Sequence, residues 1–132
     1  MIKKKLYLKI QKNYELVSTK NLKKIRLYKD VKKILNIIKK ISGNKIAVVT
    51  SKNFLRTKKI IKSKNLKFDF ISAPIKNLKG KPYPDQIIYS LKKMKISNKK
   101  KCIFIGDTEN DYFASSASNI DFVHVSYGYG SI

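Results

Sequence analysis

The sequence predicts an α/β fold, with a parallel sheet layered between helices. Three observations lead there. Short runs of β-branched residues alternate with longer amphipathic stretches, the pattern of strands joined by helical crossovers. The run Ile103-Phe104-Ile105 ends in Gly106-Asp107, with Asp111 four residues further on, where a helix should begin. That junction gathers carboxylates at the C-terminal edge of a sheet, where open α/β folds bind their ligands. The chain, 132 residues with 42% hydrophobic and 11% aromatic content, is also long enough for a single core and too apolar for a disordered segment.

The elements follow in order. In residues 3–17, Leu6, Ile10, Tyr14 and Val17 fit a helical face, while Leu6, Leu8 and Ile10 alternate as in a strand. Helix is favoured, because Lys and Glu dominate the intervening positions and no turn signal breaks the run. Val31, Ile34, Leu35, Ile38 and Ile41 mark an amphipathic helix that stops near Ser42-Gly43-Asn44. A strand is expected at Lys45–Val49, then the small polar loop Thr50-Ser51-Lys52-Asn53, which can cap a helix over Phe54–Lys64. Asp69–Ala73 reads as the next strand and Lys79-Gly80-Lys81-Pro82-Tyr83-Pro84 as a loop. Pro84 suits the first position of a helix that turns Ile87, Ile88, Leu91 and Met94 inward. Cys102–Ile105 is a strand, Asn110–Ser118 a short helix, Phe122–Val125 a last strand and Ser126–Ile132 a Gly-rich tail.

Charge and cysteine content bound the function. The formal net charge is +23, and all 31 basic residues lie in 1–101. Only Arg26 and Arg56 are arginines, whereas bidentate base readout favours arginine. Lys-rich, Ile-rich and Asn-rich usage is also what AT-rich codons specify. A solvated basic surface with nonspecific polyanion or nucleic-acid binding is therefore expected, and a basic, non-catalytic binding or interaction protein is the alternative function. The single cysteine, Cys102, excludes an internal disulfide and fits a reducing compartment. No membrane span or signal-peptide core is evident, so the expected location is cytoplasmic.

The richest segment is Gly106-Asp107-Thr108-Glu109-Asn110-Asp111, which holds three of the eight acidic residues. Hard oxygen ligands beside a helix N-terminus suit Mg²⁺ and a phosphate. Thr50-Ser51, Lys81 in Lys-Pro-Tyr-Pro, and this acidic segment follow three strands in order. Together they resemble the haloacid dehalogenase superfamily, in its phosphoglycolate-phosphatase-like branch. The resemblance covers residues 28–132, from Tyr28-Lys29-Asp30-Val31, where relatives often read Tyr-Pro-Gly-Val, to the tail Tyr127-Gly128-Tyr129-Gly130. It implies a Rossmann-like three-layer core over 28–132, preceded by a remnant of a helical cap in 1–27.

The resemblance also implies roles. Thr50, with Ser51, would bind the substrate phosphoryl group, and Lys81 would neutralise its charge and orient the nucleophile, with Lys79 as the fallback. Asp107 would ligate Mg²⁺ directly and Asp111 would support the metal's water shell. Glu109 reads as a solvated first-turn acid, and His124 and Cys102 as structural residues. The implied activity is Mg²⁺-dependent hydrolysis of a small phosphorylated metabolite.

One part of the family pattern is missing. Its chemistry starts from an Asp nucleophile on the central strand, with a second Asp two residues later as acid and base. The acids here are Glu15, Asp30, Asp69, Asp85, Asp107, Glu109, Asp111 and Asp121, and no two Asp stand at that spacing. The family's sheet order places the absent first strand between the strand ending at Ile105 and the one ending at Val49. Three explanations are open: a C-terminal piece of a longer phosphatase, a remnant with Lys3–Ile10 as a substitute strand, or a chain completed by a partner's strand. In each, this chain alone is expected not to turn over through an aspartyl-phosphate.

Overall fold

The computed structural model describes residues 2–130. Met1, and Ser131 and Ile132 at the end of the predicted Gly-rich tail, lie outside the described residues. The elements are α1 (Ile2–Lys20), α2 (Val31–Lys40), β1 (Ala47–Val49), α3 (Phe54–Ser63), β2 (Phe70–Ser72), α4 (Asp85–Lys93), β3 (Ile103–Gly106), α5 (Glu109–Ala117) and β4 (Asp121–His124). The helix starts follow from local chemistry. Asn53 caps α3 by accepting from the Arg56 N–H, and Thr108 caps α5 in a reciprocal box with Asp111. Asn65 and Asn119, just beyond α3 and α5, take the left-handed conformation that asparagine tolerates.

The strands form two parallel pairs. β1 pairs with β2, with Ala47 opposite Phe70, and β3 pairs with β4, with Ile103 opposite Asp121. Among the described residues no ladder joins β1 to β3. The sheet expected to be incomplete at its centre is thus split there. A cavity of about 430 Å³ lies in the split, lined by Ala47 and Val49 on one side and Cys102 and Phe104 on the other. Helix α4 spans the gap. Its Ile87 and Leu91 join Ala114 of α5 in the buried core, and Val49 and Phe104 pack on them from the two strand pairs. Asp69 fixes the near end of the first pair: its N–H donates to the Ile46 carbonyl, its carboxylate accepts from the Ile46 N–H, and Lys39 bonds the same carboxylate.

Residues 3–10 lie within helix α1, so they do not form a substitute strand. Lys and Leu, both good helix formers, fill six of its eight positions. Its expected apolar face does not pack, and Leu6, Ile10, Tyr14 and Val17 are all exposed. Helix α2 has the expected amphipathic pattern but no buried residue, and Ile34 and Ile41 are more than half exposed. On α4, Ile87 and Leu91 face inward while Ile88 does not. Among the described residues no element covers these faces. No helix among the described residues is long and apolar enough to cross a membrane.

Candidate functional site

The site forms where β3 runs into α5. Gly106 ends the strand beside the Asp111 side chain, and a Cβ at Gly106 would collide with the Asp111 carboxylate. The close approach lets Asp111 Oδ2 collect three bonds: from the Thr108 hydroxyl at 2.7 Å, the Thr108 N–H at 3.1 Å and the Asp107 N–H at 3.3 Å. Asp111 Oδ1 accepts from the Lys81 ammonium, thirty residues away in sequence. Burial alone would raise the Asp111 carboxyl, but the bonds from Lys81 and Thr108 outweigh it and hold the group below the usual carboxylate range. Asp111 is buried.

Asp107 is different. The tail folds over it, and the Tyr129 N–H donates to Asp107 Oδ2 at 2.7 Å. A Cβ at Gly128 would strike the Asp107 carboxylate, and one at Gly130 the Asp107 carbonyl, so only glycine fits there. Tyr127 of the same tail packs on Tyr28 with ring centroids 4.7 Å apart. Among the described residues no hydrogen bond reaches Asp107 Oδ1. One free carboxylate oxygen in a fixed position fits Mg²⁺, which takes one or two carboxylates and keeps several waters. Among the described residues no three His, Cys, Asp or Glu side chains converge on a point, so an all-protein metal cage is not built here.

The expected residues are only partly brought together. Lys81, Asp107 and Asp111 form one cluster with Thr108, and the Lys81 ammonium also lies 5.9 Å from the Phe104 ring centre. Lys79 is not in it: its ammonium stacks on Tyr83 at 4.5 Å and its N–H donates to Asp85. Thr50 directly follows β1, and its hydroxyl accepts from the Lys52 N–H at 3.1 Å. Gln86, a buried residue of α4, donates to the Thr50 carbonyl at 3.3 Å, and among the described residues no hydrogen bond joins Thr50 to the Lys81–Asp111 cluster. Ser51 is exposed in the same loop, and Glu109 is exposed in the first turn of α5. His124 lies at the end of β4, and Cys102 is half-buried with its thiol pushed up by burial. Thr108 caps α5 as a strand-to-helix turn at this point allows, whereas Gln86 and the Tyr129 N–H were not singled out by sequence. The Gly-x-Gly spacing at 128–130 was the available signal for the last.

Comparison with known proteins decides the family. The profile of the haloacid dehalogenase-like hydrolases matches residues 1–125. The chain belongs to this family. It is 30% identical over 105 residues to a phosphoglycolate phosphatase from Colwellia psychrerythraea, an alignment spanning 78% of the chain and 46% of that enzyme. A crystal structure from Clostridium difficile, assigned as a phosphatase, superposes with a TM-score of 0.81 at 27% identity, over 92% of the chain and 57% of its own length. One from Haemophilus somnus, assigned as a phosphoglycolate phosphatase, gives 0.79 at 28% identity, over 90% and 53%. This haloacid dehalogenase-like chain therefore spans about half the length of the relatives it matches.

Proposed function

We propose that this chain carries half of the active site of a Mg²⁺-dependent phosphatase for a small phosphomonoester of the phosphoglycolate type. The observation that carries the reading is the Lys81–Asp111 pair beside an Asp107 carboxylate with one free oxygen. Lys81 presents a compact cation with three donors, of which Asp111 uses one, so it can neutralise a phosphoryl oxygen. Asp111 holds that ammonium in place and, through Oδ2, fixes the 107–108 backbone. Asp107 holds Mg²⁺ through its free oxygen, and Thr50 and Ser51 offer hydroxyls to the phosphoryl group. A Mg²⁺ held there would supply positive charge to the phosphoryl group.

The segment 1–27 fits a remnant of a cap, and residues 28–132 the core that bears the site. The nucleophilic Asp is not among the eight acids of the sequence, so the isolated chain is expected to show no turnover. Calorimetric titration of Mg²⁺ into the chain and into Asp107→Asn tests the reading. Weak binding that disappears in Asp107→Asn supports it, and identical heats in the two proteins refute it.

A further inference from the structure

The tail beyond β4 is tied down by very little backbone. Val125 is the last residue bonded to the strands, its N–H donating to the Gly106 carbonyl at 3.0 Å. Among the described residues after it, two backbone donors have partners. The Gly128 N–H reaches the Val125 carbonyl at 3.4 Å, and the Tyr129 N–H reaches Asp107 Oδ2 at 2.7 Å. The first is long and the second is open to water, so neither contributes much net stability. Yet the tail lies close on the site, with no room for a Cβ at Gly128 or Gly130 against Asp107. A side-chain contact supplies the missing hold. The Tyr127 ring packs on the Tyr28 ring, with centroids 4.7 Å apart and planes tilted by 49°. Tyr28 belongs to the turn before α2, where its carbonyl accepts from the Val31 N–H, so its ring is fixed to the body of the core. Among the described residues no hydrogen bond joins Tyr28 to Lys81, Asp107 or Asp111.

We propose that Tyr28 is a positioning residue for the metal site. Its ring clasps Tyr127 and holds the tail down, and the Tyr129 N–H of the docked tail fixes the Asp107 carboxylate with Oδ1 free. The bond to Oδ2 stops the carboxylate from rotating and decides which oxygen is offered to the cation. A ligand held in its binding geometry beforehand binds more tightly, because less ordering is left for the moment of binding. One aromatic pair is enough to shift a docking equilibrium about two- to tenfold. Both rings are about half exposed, at 48% and 54%, so either can be removed without opening a core. The coupling runs both ways: Mg²⁺ on Asp107 tightens the clasp by the factor with which the clasp tightens Mg²⁺. The clasp stands on the contacts alone; its effect on the metal rests on the function proposed above.

The test is amide hydrogen exchange on the full chain, read by NMR without metal, beside calorimetric Mg²⁺ titration of the same proteins. Tyr28→Ala should speed exchange of the Tyr129 N–H and weaken Mg²⁺ binding, each about two- to tenfold. Exchange at Val125 should not change, which separates an opened clasp from a loosened fold. Tyr28→Phe keeps the ring and should restore both readouts. Tyr127→Ala should match Tyr28→Ala, and the double variant should be no worse than either, because each removes the same contact. Exchange at Tyr129 that ignores Tyr28→Ala, or that rises no more than exchange at Val125, overturns the clasp. Faster exchange at Tyr129 with unchanged Mg²⁺ binding overturns the link to the metal. If the parent chain binds no Mg²⁺, the function proposed above falls together with the metal role of Tyr28, while the Tyr129 amide still decides the clasp.

Discussion

Removing the two halves of the Lys81–Asp111 pair should have unequal effects. The side chains are 15% and 5% exposed, so neither charge is well solvated if left alone. Asp111→Ala strands the Lys81 ammonium, orphans the Thr108 and Asp107 N–H groups and removes the side-chain half of the α5 capping box. Breaking a buried pair in that way costs about 3–5 kcal/mol. Lys81→Met keeps the aliphatic stem and leaves a carboxylate that still accepts three bonds, for which a cost of about 1–3 kcal/mol is expected. Asp111→Ala should therefore be worse by about 2 kcal/mol, or roughly 1 M in the urea midpoint of a small domain. Urea unfolding followed by circular dichroism reads this directly, with trimethylamine N-oxide added to lift the baseline stability. The pH dependence has a definite sign. The Asp111 carboxyl lies below its unfolded value, so its contribution is present above the unfolded pKa and is lost as pH falls through the folded one. Lys81→Met should shrink that acid-side loss, and Asp111→Asn should remove it. A Lys81→Met variant as damaged as Asp111→Ala would refute the bonding scheme.

Two backbone positions give further predictions. Gly128→Ala pushes a methyl into the Asp107 carboxylate and should weaken Mg²⁺ binding in a calorimetric titration, whereas Gly80→Ala, with nothing within 4 Å, should not. Asp30 stands at φ 61°, where the family often has glycine, so Asp30→Gly should raise the unfolding free energy by about 0.5–1 kcal/mol of relieved strain, read as a higher urea midpoint, and a lowered midpoint would contradict this.

The sequence carried the alternation of elements well, because β-branched runs such as Ile46–Val49 and capped amphipathic helices such as 54–63 are local signals. It also marked Asp107, Asp111 and Lys81, whose meeting needed only the strand order. It could not show which helix faces would be covered. The patterns of α1 and α2 are those of packed helices, yet Leu6, Ile10, Ile34 and Ile41 are exposed, because periodicity records what a segment would bury and not whether a partner is there. Part of the role of Asp111 was also out of reach. An acid four residues after Asp107 reads as a metal-site residue, and the geometry adds that its oxygens accept from Lys81, Thr108 and the Asp107 N–H. The tail over Asp107 is a contact across more than twenty residues that no local pattern encodes.

The central claim is that a metal-binding carboxylate and a phosphate-binding ammonium stand together in this chain. The most direct test is to titrate inorganic phosphate calorimetrically with and without Mg²⁺ into the chain, Asp107→Asn and Lys81→Ala. If the two subsites act on one phosphate, Mg²⁺ tightens phosphate binding and phosphate tightens Mg²⁺ binding by the same factor. Asp107→Asn should abolish that coupling, and Lys81→Ala should weaken phosphate whether or not the metal is there. Phosphate binding that is indifferent to Mg²⁺ and to both substitutions would place it on the dispersed lysines and contradict the account.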